Sequence, residues 1–351
     1  MICWPYLKRI HIRILCVLLI TLIFVYNISF LSNISQFLHK SQKHLIYCYF
    51  ENKHNHSLLE LDPNEVTKNS IFFIETSCNH KKGIHLNLRQ GCAIESAANL
   101  NPNLKIFVLF VSASFVNNKS DIINTLNTYK NINLRYINLT RYSYQTPVHD
   151  FVMSNKIFMS NWPISHTSDL LRFLTLWKFG GTYLDLDVVL MKSIEGITNF
   201  VSAESSSSIA SLVLNFDVDD IGKTIANIAI NDFVDNYRGN DWGYNGPGVI
   251  TRALQKMCNT YLINDMDRLM CKGFMVFKPE AFCPISWEDW RLYFDENNSN
   301  KVMAKLEDRM GIHVWNLHSK NSNIIVGSKQ PYGLVAKKYC SSIFSLAKYV
   351  F

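Results

Sequence analysis

Eighteen consecutive residues, Ile14 to Leu31 (ILCVLLITLIFVYNISFL), carry no charge. Wound as a helix the run spans about 27 Å, close to the hydrocarbon thickness of an endoplasmic-reticulum bilayer. Beyond it the pattern changes character. Residues 32–66 are rich in Asn, His, Ser and Lys, hold no sustained period and read as a stem. From residue 67 short apolar runs alternate with helical spacings. Ile71–Glu75 (IFFIE) has the length of a strand, and Cys92–Leu100 reads as a helix closed before Pro102. Leu104–Val111 (LKIFVLFV) is a buried strand by its unbroken apolar run. Asp121–Lys130 reads as a helix capped by Asp121, and Leu134–Leu139 as a further strand. Strand alternating with helix predicts an α/β domain built on a mainly parallel sheet.

Charge gives the apolar run a direction. Lys8, Arg9, His11 and Arg13 precede it, which keeps residues 1–13 cytosolic, although Lys40 and Lys43 on the far side weaken the bias. A cleaved signal peptide shows the same order, but its apolar core is shorter and ends at a small-residue site that is missing here. The organisation expected is therefore a tail (1–13), a transmembrane signal anchor (14–31), a stem (32–66) and a lumenal folded body (67–351). Sequons at Asn33, Asn55, Asn118, Asn138 and Asn297 suit a lumenal body, while the one at Asn27 falls inside the span. Of nine cysteines, Cys3 and Cys16 lie at or before the span, which leaves seven (9 − 2) in the lumen. Seven allow disulfides and leave one thiol over; Cys258 and Cys271, a short loop apart, are the first pair to test.

Composition removes several classes. With 48% hydrophobic and 18% charged residues the chain is not disordered throughout, and a mean hydropathy of +0.01 excludes a polytopic transporter. The net charge is +7, and no basic stripe interleaves with aromatics, so no nucleic-acid partner is expected.

The candidate chemistry lies in residues 165–191, SHTSDLLRFLTLWKFGGTYLDLDVVLM. Ser168 reads as the cap of a helix whose apolar residues Leu170, Leu171, Leu174 and Trp177 recur at helical spacing. Asp169 and Arg172, three apart, share its other face. Gly180-Gly181 stops the helix. A short strand ending in Tyr183 then delivers Asp185-Leu186-Asp187, with both carboxylates on one side and Leu186 turned into the core. Two converging carboxylates make a hard-oxygen site for Mn²⁺ or Mg²⁺, with positions left open for the phosphates of a nucleotide.

The string SDLLRFLTLWKFGGTYLDLDVVL closely resembles the signature of glycosyltransferase family 32. FIETSC (73–78), CAIESAANLNP (92–102), NGPGVITRAL (245–254), KPEAFCPISWEDW (278–290) and HVWN (313–316) are similar to the animal α-1,4-galactosyltransferase and α-1,4-N-acetylglucosaminyltransferase group. The likeness runs from about residue 71 to 319. It implies a GT-A-type, Rossmann-like nucleotide-sugar fold with a mixed, mainly parallel sheet, preceded by one transmembrane helix. It also implies a metal-dependent, retaining hexosyltransferase of the Golgi membrane, single-pass type II, with its catalytic domain in the lumen. The activity implied moves galactose from UDP-galactose to the terminal galactose of a glycosphingolipid such as lactosylceramide. Alternatives are transfer of N-acetylgalactosamine or N-acetylglucosamine, and an inactive membrane-anchored lectin or chaperone on the same fold, against which the intact Asp185 and Asp187 argue. A homodimer is left open.

Further residues complete the expected site. His313 in Gly-Ile-His-Val-Trp-Asn is either a core histidine or, as in GT-A enzymes, the third protein ligand beside Asp185 and Asp187. Trp287 and Trp290, flanking Glu288 and Asp289, read as an acceptor-sugar platform or as core tryptophans. Glu75, at the carboxyl end of its strand, Asn245 and Gly246, at a helix start, join Asp169, Arg172 and Tyr183 in binding the nucleotide sugar. Asp241, Glu288 and Asp289 are the acids available as a protein nucleophile. Without one, the donor phosphate takes the acceptor proton in a same-face displacement, the route favoured here.

Overall fold

The computed structural model describes residues 17–28, 44–50, 57–80, 82–116 and 119–351. It divides into two units, Met1–Leu45 and Ile46–Phe351. In the first, residues 17–28 are helical with exposed side chains. Among the described residues no helix is long and apolar enough to cross a membrane; positions 14–16 and 29–31 of the expected span lie outside them, as do the tail and Asn33, Asn55 and Asn118.

The second unit begins earlier than the boundary at 67 expected from composition. Ile46, Leu58 and Leu61 are buried, and Cys48 is bonded to Cys78 just after the first strand. Its elements in chain order are β1 (Ile71–Glu75), α1 (Leu88–Leu100), β2 (Ile106–Phe110), β3 (Ile132–Tyr136), α2 (Pro163–Phe179), β4 (Gly181–Leu184), β5 (Val188–Leu190), β6 (Phe200–Ala203), β7 (Ile209–Phe216), α3 (Asp220–Asn236), α4 (Pro247–Cys258), β8 (Met275–Phe277), β9 (Gly311–His313) and α5 (Pro331–Tyr339), with shorter helices between them. Among the described residues seven strands form one sheet in the order β3-β2-β1-β4-β7-β6-β8. The neighbours β3/β2, β2/β1, β1/β4 and β6/β8 run parallel, and β7 runs antiparallel to β4 and β6, so the sheet is mixed and mainly parallel. A separate antiparallel pair joins β5 to β9.

Both faces of the sheet are covered, which is why its strands read as unbroken apolar runs rather than alternating ones. Ile71, Phe73, Ile106, Val108 and Phe110 pack on the α1 side, while Phe72, Ile74, Phe107 and Leu109 pack on the side of α2, α3 and α4. Local geometry corrects three expectations. The helix after residue 120 spans only Asp121–Leu126, and Ser120, not Asp121, caps it through Ile123 N–H. Helix α2 starts at Pro163, so Ser168 lies inside it instead of capping it. The second strand is trimmed to Ile106–Phe110, because Leu104 and Lys105 belong to the turn that leads in.

Among the described residues three disulfides form, Cys48–Cys78, Cys92–Cys340 and Cys258–Cys271, and Cys283 stays free and buried. The expected pair and the single leftover thiol are both present.

Candidate functional site

At the carboxyl ends of β1, β4 and β6 lies a cleft of about 500 Å³, the edge where open α/β sheets bind ligands. Gly180 and Gly181 start the strand β4 whose far end reaches it. Both have positive φ (67° and 86°), and a Cβ on Gly181 would stand 2.4 Å from Ser70 O, so only glycine lets the chain turn from α2 into β4 here.

The strand then hands over to the acidic pair. Asp185 leaves β4 with its N–H on Leu212 O (2.9 Å), and Leu186-Asp187 turn before β5. Because this segment is a turn and not continued strand, Leu186 is only partly buried and lines the cleft, contrary to the alternation expected. Asp185 Oδ1 accepts from the Tyr183 hydroxyl (2.6 Å) and pairs with Arg172 Nη1 (3.3 Å). Asp187 Oδ2 pairs with His313 Nε2 (3.1 Å) and accepts from Asn316 N–H (2.8 Å). That last donor is presented by Trp315, whose φ of +54° turns the chain sharply after β9. Register explains how His313 arrives: β9 pairs with β5 so that His313 faces Val188, next to Asp187.

Asp169 and Arg172 do not form the surface pair their spacing allows. Each is 6% exposed, with Arg172 Nη2 3.1 Å from Asp169 Oδ1. Arg172 also donates through Nη1 to Ser211 O (2.7 Å) and through Nη2 to Ser168 Oγ (3.2 Å), and it lies over the Tyr183 ring at 4.7 Å. Burial pushes Asp169 up to about 7; Arg172 opposes the shift and Asp185 adds to it. Gly246 backs onto this carboxylate, since a Cβ there would stand 2.4 Å from Asp169 Oδ1. Gly246 thereby brings the N-terminus of α4 against the acid.

Asp185, Asp187 and His313 each offer one ligand atom, and these atoms lie within 4.8 Å of one another. That is about twice a typical metal–oxygen bond of ~2.1–2.4 Å, so one divalent ion fits among them, and two carboxylates with an imidazole are a donor set Mn²⁺ accepts. Without an ion the charges compensate each other. Burial works against a charged His313, yet Asp187 holds its imidazole well above the usual range, and His313 in turn holds Asp187 down against the effect of its own burial.

Glu75, Asp169, Arg172, Tyr183, Asp185, Asp187, Trp287 and His313 all line the cleft. The other expected residues stand elsewhere. Asp241, Glu288 and Asp289 are exposed and outside the cleft lining. Trp290 packs on Phe294 (5.7 Å) and under Arg291, and Asn245 is buried behind the wall, tying Arg238 N–H and O to His166. Unanticipated members are Ser168, Glu204, Ser211, Trp242, Trp315 and Asn316. Glu204 carried a usable signal, because it follows an apolar run at a strand's carboxyl end and precedes the Ser205–Ser208 loop.

Two conserved regions match the chain. Residues 88–207 match the glycosyltransferase sugar-binding region containing the DXD motif, and residues 218–347 match the alpha 1,4-glycosyltransferase conserved region. The chain is 28% identical over 287 residues to lactosylceramide 4-alpha-galactosyltransferase of Homo sapiens, covering 80% of this chain and 78% of that protein. It is 26% identical over 283 residues to alpha-1,4-N-acetylglucosaminyltransferase of Homo sapiens, covering 78% and 79%. Among solved structures, the PaToxG glycosyltransferase is 14% identical and covers 92% of this chain and 97% of that one, with a TM-score of 0.37.

Proposed function

We propose that this chain, which belongs to the α-1,4-glycosyltransferases, is a metal-dependent, retaining enzyme that moves galactose from UDP-galactose to the terminal galactose of a glycosphingolipid of the lactosylceramide kind. The observation that carries the reading is the convergence of Asp185, Asp187 and His313 beside the buried Asp169–Arg172 pair in one cleft. Asp185, Asp187 and His313 hold Mn²⁺ or Mg²⁺. Once bound, that ion neutralises the diphosphate so that it can leave.

The chain's own groups do the positioning. Arg172 fixes Asp185 from one side while Tyr183 fixes it from below, so the carboxylate needs no reorganisation when the nucleotide arrives. Asn316 N–H and Val314 N–H hold Asp187 by side chain and backbone. Asp169, against the start of α4, accepts hydroxyl protons of the donor sugar. Trp287 offers its exposed face to the acceptor. The same-face route is supported by the placement of Asp241, Glu288 and Asp289 outside the cleft: none of the three is at hand to form a glycosyl-enzyme. Residues 14–31 anchor the protein in the Golgi membrane as a single-pass type II protein with residues 46–351 in the lumen.

The test is a donor screen with Mn²⁺, lactosylceramide and purified protein, with the linkage read by NMR. An α-1,4-galactosyl product is expected. Transfer of an N-acetylhexosamine instead moves the donor assignment to the second human relative's named activity; a β-linked product, or no transfer from any UDP-hexose, contradicts the reading.

A further inference from the structure

The cleft lining comes from two sheets that share no strand. The large sheet supplies Glu75 at the end of β1, and beside it the first turn of α1 supplies Arg89. The small sheet supplies His313 at the end of β9, followed closely by Asn316 and His318. Those last two ride on a single helical turn, Asn316–Ser319. A turn of four residues is not stable by itself, because nucleation costs more than so few bonds return. The entry to it is strained besides, with Trp315 at a φ of +54°. Yet the N–H that opens the turn, that of Asn316, is held 2.8 Å from Asp187 Oδ2. The turn is therefore fixed from outside.

Arg89 does this from α1. Its Nη1 donates to Ser319 O (2.9 Å), the last carbonyl of the turn, and its Nη2 donates to Ser322 O just beyond. The turn closes at the same point, with Ser319 Oγ donating to Val314 O (2.6 Å) and Ser319 N–H to Trp315 O (2.9 Å). The guanidinium is itself seated, 5.2 Å from the centre of the Phe294 ring and 5.6 Å from that of Tyr332. Among the described residues no carboxylate forms an ion pair with it. A cation is favoured where helical carbonyls end, and the planar fork of arginine reaches two of them at once.

We propose that Arg89 is a positioning residue for the metal cluster. By fastening the far end of the Asn316–Ser319 turn to α1, it keeps the Asn316 N–H on Asp187 and so fixes a carboxylate that holds the ion. Partners of this kind orient a ligand before the metal arrives, and losing them typically costs ~10–100-fold in metal affinity. Arg89 acts through Ser319 and Asn316 and touches neither the ion nor the nucleotide. The same contact ties the wall that carries Glu75 to the wall that carries His313.

This inference rests on the metal reading of Asp185, Asp187 and His313, and the two fail separately. The full chain is compared with Arg89→Met, which keeps the apolar stem and has no donors. The Mn²⁺ concentration that half-supports UDP binding, read by calorimetry, is expected to rise about tenfold or more in the variant. UDP affinity in EDTA is expected to be the same in both proteins. In metal-free protein, amide exchange across residues 314–322 is expected to quicken about tenfold while that of β1 stays the same. Arg89→Lys, a point charge without the fork, is expected to fall between the two in its Mn²⁺ requirement. If Arg89→Met does not fold, Ser319→Ala carries the test, because it removes the Oγ bond that closes the turn. Its shifts in Mn²⁺ requirement and exchange are expected in the same sense and smaller. An unchanged Mn²⁺ requirement, or unchanged exchange in 314–322, overturns the proposal. So does weaker UDP binding in EDTA, which would make Arg89 a direct nucleotide contact, and so does exchange that quickens equally in β1, which would make it a general brace of the fold. If UDP binds the wild-type chain no better in Mn²⁺ than in EDTA, the metal reading fails instead.

Discussion

Arg172 touches more of the site than any other side chain described above. Its guanidinium reaches Asp169, Asp185, Ser168 and Ser211 at once and lies on the Tyr183 ring. A lysine carries the charge but is a single point without the planar fork. Arg172→Lys is therefore expected to lose about 100-fold in kcat/KM and to unfold at lower temperature, read by steady-state kinetics and a melting curve; near-normal kinetics would remove Arg172 from the site. Gly246→Ala tests the opposite wall, because its Cβ would enter the space of Asp169 Oδ1. It is expected to depress activity more than stability, since a side chain can yield where a backbone cannot. The sequence showed Asp185, Asp187, Asp169 and Arg172 because their spacing has a geometric meaning. It misled at Ser168, since serine before an apolar helix looks the same whether it caps the helix or turns inward to a buried guanidinium. Glu204 carried a weaker signal, its place at the end of an apolar run, and that it lines the cleft follows from the pairing of β6 with β7.

Among elements, the strands and the α2–β4 turn were legible because apolar runs and paired glycines are local signals. Strand order was not. That β7 inserts antiparallel between β4 and β6, and that β9 pairs with β5, depends on contacts far apart in sequence. The disulfides show the same division. Cys258–Cys271 closes 13 residues, whereas Cys92–Cys340 closes 248. In the chain-entropy account these restrict the unfolded state by about 3 and about 5 kcal/mol respectively. Replacing both cysteines of the long pair by serine is expected to lower the urea midpoint more than replacing both of the short pair, and the reverse order would mean that strain or residual structure dominates. Helix α2 and the 237–246 segment are joined by His166, which meets Ser160 Oγ at 2.7 Å, the Tyr237 hydroxyl at 3.2 Å and Asn245 Nδ2 at 3.2 Å. Burial lowers its pKa from 6.5 to about 4. The folded imidazole stays neutral where the unfolded one takes up a proton, so its contribution is complete above pH 6.5 and is lost as pH falls toward 4. Between pH 7 and pH 5 the wild-type melting temperature should lose ground relative to His166→Gln, a comparison in which His80, also lowered by burial, and Asp169, raised by burial and acting in the opposite sense, are common to both proteins.

For the whole molecule, the boundary of the folded unit is the part composition concealed. Polar residues around 51–66 look like linker, yet Leu58 and Leu61 enter the core and Cys48 is bonded to Cys78. A secreted fragment 46–351 is expected to be folded and active, while 67–351 loses that crosslink and leaves Cys78 unpaired. The shorter fragment should be less stable by about 3 kcal/mol or more by denaturant titration; equal stability would return residues 46–66 to the stem. The central claim concerns the cleft: Asp185, Asp187 and His313 hold a divalent ion that in turn holds a nucleoside diphosphate. Calorimetric titration of UDP tests it without requiring the right sugar or acceptor. UDP is expected to bind in Mn²⁺ and to bind at least about tenfold more weakly in EDTA and in Asp187→Asn, whose fold is checked by an unchanged melting curve. Equal UDP affinity with and without the metal, or in Asp187→Asn, would contradict the account.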